Sequence, residues 1–90
     1  MGSAEIGQIL RWVGQIAAQV HPAIQTTAAP AGEGRRVAVE LALGGRVQRV
    51  EIPYSSWVDY QDDPDWRAEW ERLIIRAAKL LVLETGAEPR

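Results

Sequence analysis

Cysteine is missing from this 90-residue sequence, which removes disulfides, thiolate metal sites and a cysteine nucleophile together. There is one histidine, His21, and it precedes Pro22 at the end of a helix-like segment, away from Ser55 and Ser56. No serine therefore has an evident base. Lysine occurs once against nine arginines, a usage that points, outside physics, to a GC-rich bacterial or phage genome. No stretch approaches the ~20 apolar residues of a membrane span, and "MGSAEIGQIL" has neither the basic nor the apolar region of a signal peptide. We expect a cytoplasmic protein without membrane contact. Phosphate-loop chemistry is also missing, because "AGEGR" lacks both the Walker spacing and its Lys-Ser/Thr pair. The sequence has no internal repeat.

What is present is globular: 47% hydrophobic and 24% charged residues, enough to fold but close to the size at which one core is marginal. Without disulfides, oligomerisation is the remaining common source of stability. The net charge of −2 conceals a division. Residues 1–50 carry five basic and three acidic groups, hence +2, whereas residues 51–90 carry five basic and nine acidic, hence −4.

A first helix is expected over residues 3–20, with Ser3 as N-cap and Glu5 in the first turn. Ile6, Ile9, Leu10, Val13, Ile16, Ala17 and Val20 share one arc at 100° per residue. Gly7 and Gly14 flank that arc at a propensity cost of about 1 kcal/mol each, which close helix approach would explain. The other face, Gln8, Arg11, Gln15 and Gln19 with Trp12 at its edge, is polar yet almost uncharged. Solvent exposure is its simplest explanation. Residues 21–35, including "TTAAPAGEG", read as a loop.

Over residues 36–54, Val37, Val39, Leu41 and Leu43 alternate with Ala38, Glu40 and Ala42 before Gly44-Gly45, the pattern of a strand and a tight hairpin turn. That turn sets the register. Leu43 should face Arg46, Leu41 Gln48, Val39 Val50 and Val37 Ile52, with Glu40 opposite Arg49 as an ion pair, and Pro53 should end the second strand. After a loop at 55–63, Asp63 as N-cap, Pro64 at the first position and Gly86 at the end frame a helix over 64–85. Its main apolar arc is Trp66, Trp70, Leu73, Ile74, Ala77, Leu80 and Leu81, with a second strip at Ile75, Ala78 and Val82. The fold class is thus α+β, one α-β-β-α domain whose antiparallel hairpin is packed by two helices. Dimerisation through Ile75, Ala78 and Val82 is expected to complete it, since a two-stranded sheet is marginal alone.

Function must be sought in "SSWVDYQDDPDW", Ser55 to Trp66. The window Tyr54–Glu71 holds five of the six aromatics and half of the acidic residues. An EF-hand starting at Asp59 fails, because its sixth position is Pro64 and its twelfth Trp70. Asp59, Asp62 and Asp63 could form at most a weak divalent site, and no environment is evident that would split the pKa values of a catalytic carboxylate pair. No metal or cofactor is expected. The favoured reading is a non-enzymatic inhibitor or adaptor, homodimeric, whose Trp57, Asp59, Tyr60, Asp62 and Asp63 meet a basic protein partner. Against it stands the structural account in which Trp57 plugs the gap between hairpin and helix, and the aspartates serve as caps and solubilising charges. One alternative is a nucleic-acid-binding dimer using Arg35, Arg36, Arg46 and Arg49 on the hairpin, and a further one is a small dimeric chaperone-like protein.

Overall fold

In the computed structural model, which describes residues 2–86, two long helices lie side by side on one face of a three-stranded antiparallel sheet. The elements run α1 (Ser3–Val20), β1 (Gln25–Ala31), β2 (Arg36–Leu43), β3 (Arg46–Pro53), α2 (Tyr54–Tyr60) and α3 (Pro64–Thr85). The class is α+β, with one strand and one short helix beyond the α-β-β-α expectation.

The hairpin has the expected register, with Leu43 opposite Arg46, Leu41 opposite Gln48, Val39 opposite Val50 and Val37 opposite Ile52. Gly44 and Gly45 turn it at φ 57° and 80°, which glycine adopts without a Cβ penalty. Glu40 does sit across from Arg49, but the carboxylate that Arg49 approaches is Glu51, at 3.7 Å. Glu51 also accepts from Arg36 Nε at 3.2 Å.

The additional strand corrects the loop expected at 21–35. "QTTAAPA" lacks the large β-branched and aromatic residues that announce a strand, and Pro30 argues against one. It becomes a strand because the open edge of β2 supplies partners for its backbone: Thr26 pairs with Leu41, Ala28 with Val39 and Pro30 with Val37. A four-residue turn, Gly32-Glu33-Gly34-Arg35, whose first three residues have φ of 56°, 59° and 84°, brings the chain round. As an outer strand, β1 can carry a proline.

One face of the sheet holds the core. Val37, Val39, Leu41 and Ile52 are fully buried against Ile9, Val13 and Ala17 of α1 and Ile74, Ala78 and Leu81 of α3. On the α1 side the expected arc is correct, although Ser3 is the first helical residue and Gly2 the cap, with no side-chain hydrogen bond. Gly7 has nothing within 4 Å of a notional Cβ, so close approach does not account for it; Gly14 does lie close to a neighbour, but that neighbour is Thr26 of β1, its Oγ1 at 3.1 Å, and not a helix. Helix α3 is seated about 60° from its expected orientation at 100° per residue. Leu73 and Leu80, assigned to the core arc, are 45% and 41% exposed, whereas Ala78 and Val82, assigned to a dimer surface, are 0% and 6% exposed. Those two alanine- and valine-sized side chains face the protomer's own core.

Candidate functional site

Helix α2 replaces the loop expected at 55–63. "YSSWVDY" contains Ser, Val and Asp, all poor helix interior residues, and Pro53 caps it without a side-chain hydrogen bond. Tertiary contacts hold it. Trp57 is 3% exposed, and Tyr54 N–H donates to the Arg35 carbonyl at 2.9 Å, tying the helix start to the β1–β2 turn. At the other end the Asp63 N–H donates to the Tyr60 carbonyl at 2.9 Å. Asp63 Oδ1 then accepts from the Asp65 and Trp66 N–H groups at 2.9 and 3.3 Å, opening α3 as a proper N-cap.

Trp57 is therefore buried within the protomer, which corrects the expectation of an exposed contact residue there. It belongs to a cluster that takes in all four tryptophans. Trp12 lies 5.8 Å from Trp57 and 5.9 Å from Trp66 between ring centroids, Trp57 and Trp66 are 6.1 Å apart, and Trp70 follows at 6.0 Å from Trp66. Such tilted and offset pairs add about 0.5–1.5 kcal/mol each beyond area burial. The cluster joins α1, α2 and the first turns of α3.

The rest of the α2 segment is on the surface. Val58 and Tyr60 are both 50% exposed, and Asp59, Asp62 and Asp63 are exposed beside them. None of these aspartates has an ion-pair partner among the described residues. Nor do they converge: among the described residues no group of three His, Asp or Glu side chains is placed to hold a metal ion.

Two of the tryptophans, Trp12 and Trp57, line a cleft of about 270 Å³ together with Gln8, Arg11, Gln15, Gln61 and Arg67. The polar face of α1, with Gln8, Arg11 and Gln15, forms one wall. Arg67 is fixed there: its Cζ sits 5.1 Å from the Trp12 ring centroid, and Nη1 donates to the Gln61 carbonyl at 2.6 Å. Neither Arg11 nor Arg67 forms an ion pair among the described residues. The indole Nε1 of Trp57 is buried and has no acceptor.

The four hairpin arginines are not gathered into one free basic surface. Arg36 and Arg49 both lean on Glu51, and only Arg35 and Arg46 are without an ion pair among the described residues. Of the expected dimer residues, Ile75 alone reaches the surface, in a shallow groove of α3 with Arg72, Arg76, Lys79, Leu80 and Leu83. His21 closes α1, where its Nδ1 accepts from the Ala23 N–H at 3.0 Å. In the sequence the polar face of α1 and the stretch Ser55 to Trp66 stand apart. The signal missing there was their proximity, which only the packing of α1 against the start of α3 creates.

The arrangement defines a two-layer α+β domain with one sheet face open and a tryptophan cluster at one end. No family model matches the chain, and neither the curated proteins nor the solved structures give a match. No helix among the described residues is long and apolar enough to cross a membrane.

Proposed function

We propose that this chain is a non-enzymatic protein-interaction module, an inhibitor or adaptor, that works as a homodimer and meets a basic protein partner through the outer side of α2. The observation that carries the reading is the exposure of Val58 and Tyr60, each 50%, within a set of aspartates that form no ion pair among the described residues. Half-exposed apolar side chains ringed by unpaired carboxylates have the composition of an anchor with a steering rim. Trp57 supports that surface from below. A seven-residue helix would not persist alone, and its burial against Trp12 and Trp66 gives the exposed residues a fixed backbone to stand on.

The test uses Val58→Ser with Tyr60→Ala, two surface changes that leave Trp57 and the Asp63 cap in place. Immobilised wild type should retain a basic protein from cells of the source organism, in a salt-sensitive manner, and the double variant with an unchanged circular dichroism spectrum should lose it. Equal retention by both proteins would overturn the assignment to α2.

A further inference from the structure

The cleft lined by Trp12 and Trp57 is unlike the acidic surface around it. Its lining has two guanidinium groups, three carboxamides and two indoles, and no carboxylate. In a chain of net charge −2, two arginines share this cleft without an acidic partner among the described residues. Arg67 is preorganised: one N–H is committed to the Gln61 carbonyl and its plane is packed over Trp12, which leaves the rest of its donor fork free. Trp57 adds a group that lacks a partner, an indole N–H buried within a side chain only 3% exposed. A buried donor left unmade is costly, and an acceptor brought to it recovers that cost.

We infer that this cleft is a binding site for a carboxylate, held by the Arg11 and Arg67 guanidiniums, with the Trp57 N–H as a further donor and the glutamine amides receiving a neighbouring amide or hydroxyl. Guanidinium forks match the planar geometry of a carboxylate bidentately. The carboxamides each donate and accept, so they suit a polar group attached beside the acid. Trp57 lines the cleft, and Gln8, Arg11 and Gln15 at its rim are exposed. A carboxylate of this kind comes either as a free acylated amino acid or as the C-terminus of a peptide.

Intrinsic fluorescence reads the site directly, because Trp12 and Trp57 line it and the other two tryptophans of the chain belong to the same cluster. The full chain is titrated with N-acetylglycine, N-acetylglycinamide, inorganic phosphate and the peptide acetyl-Ala-Ala-Ala-Gly with a free C-terminus. A saturable change with N-acetylglycine and none with its neutral amide is expected. Arg11→Gln and Trp57→Phe should each weaken it about tenfold, the usual worth of a hydrogen bond to a charged group. Tighter binding of the tetrapeptide would assign the ligand to a chain terminus, and equal binding to a free acid; either agrees with the proposal. Equal binding of acid and amide, preference for phosphate, or no saturable signal overturns it. Should Trp57→Phe be unstable, Arg11→Gln on the exposed face of α1 still decides, since unchanged affinity there removes the ion pair on which the site depends.

Discussion

At the scale of single residues, Trp57 and Asp63 separate what the "WVDYQDDPDW" segment does for the fold from what it offers to a partner. Trp57 fills space between α2, the middle of α1 at Trp12 and the first turn of α3 at Trp66, so Trp57→Ala should cost about 3–5 kcal/mol, the range for an aromatic lost from a core. Trp57→Phe keeps a ring and removes the buried N–H that lacks an acceptor, and its cost should stay under about 1.5 kcal/mol. Urea unfolding followed by far-ultraviolet circular dichroism measures both without relying on the altered fluorophore. A similar contrast holds among the aspartates. Asp63 accepts two backbone N–H groups, so Asp63→Ala should lose about 1 kcal/mol, while Asp62→Ala, exposed and unpaired, should change stability by less than about 0.5 kcal/mol. The Asp63 cap was legible in the sequence, because "DDPDW" follows the local rules of a helix start. The burial of Trp57 was not, since local pattern does not say that a tryptophan on α1 and another on α3 will meet it.

At the scale of elements, legibility follows the same division between local and borrowed stability. Helix α1, helix α3 and the β2–β3 hairpin announce themselves by periodicity and by Gly44-Gly45, and they form where expected. Strand β1 and helix α2 are made by their neighbours: β1 by the open edge of β2, α2 by the tryptophan cluster. Neither "QTTAAPA" nor "YSSWVDY" has an intrinsic preference strong enough to reveal the outcome. The orientation of α3 was misjudged for a related reason. Its apolar residues extend well beyond one arc, and the choice of which to bury was made by the sheet and α1 together, so Ala78 and Val82 went inward and Leu73 and Leu80 outward. The glycines of α1 provide a test at this scale. With open space around Gly7, Gly7→Ala should stabilise by about 0.5–1 kcal/mol through helix propensity alone. Gly14→Ala brings the same gain, but its Cβ meets Thr26 Oγ1 at 3.1 Å, so the Thr26 side chain must shift and the net change should be near zero. Comparison of the two urea midpoints checks the claim that α1 packs tightly on β1 at Gly14 and is free at Gly7.

At the scale of the whole molecule, the outward side of α3 bears on self-association. Leu73, Leu80 and Leu83 are 45%, 41% and 62% exposed, an apolar surface left open among the described residues. The charges beside it are ordered along the helix. At 100° per residue Asp65, Glu69, Arg72, Arg76, Lys79 and Leu83 fall within an arc of about 80°, acidic in the first half and basic in the second. Such a stripe is self-complementary when two copies pair antiparallel, because the acidic half of each then meets the basic half of the other. A two-fold axis near Arg72 sets Glu69 opposite Arg76 and Asp65 opposite Lys79 of the second copy, with Arg72 facing itself as the one like-charge contact. We therefore expect light scattering to give the mass of two chains, and the dimer to weaken as salt is added. Glu69→Arg should raise the dissociation constant about tenfold or more, since symmetry repeats the like-charge contact on both sides of the axis. Adding Arg76→Glu in the same chain restores opposite charges across the interface without restoring either native residue. Recovery of the dimer in that double variant would confirm the antiparallel pairing. A wild-type mass of one chain, or a double variant as weak as the single, would show that the α3 stripe does not join two copies.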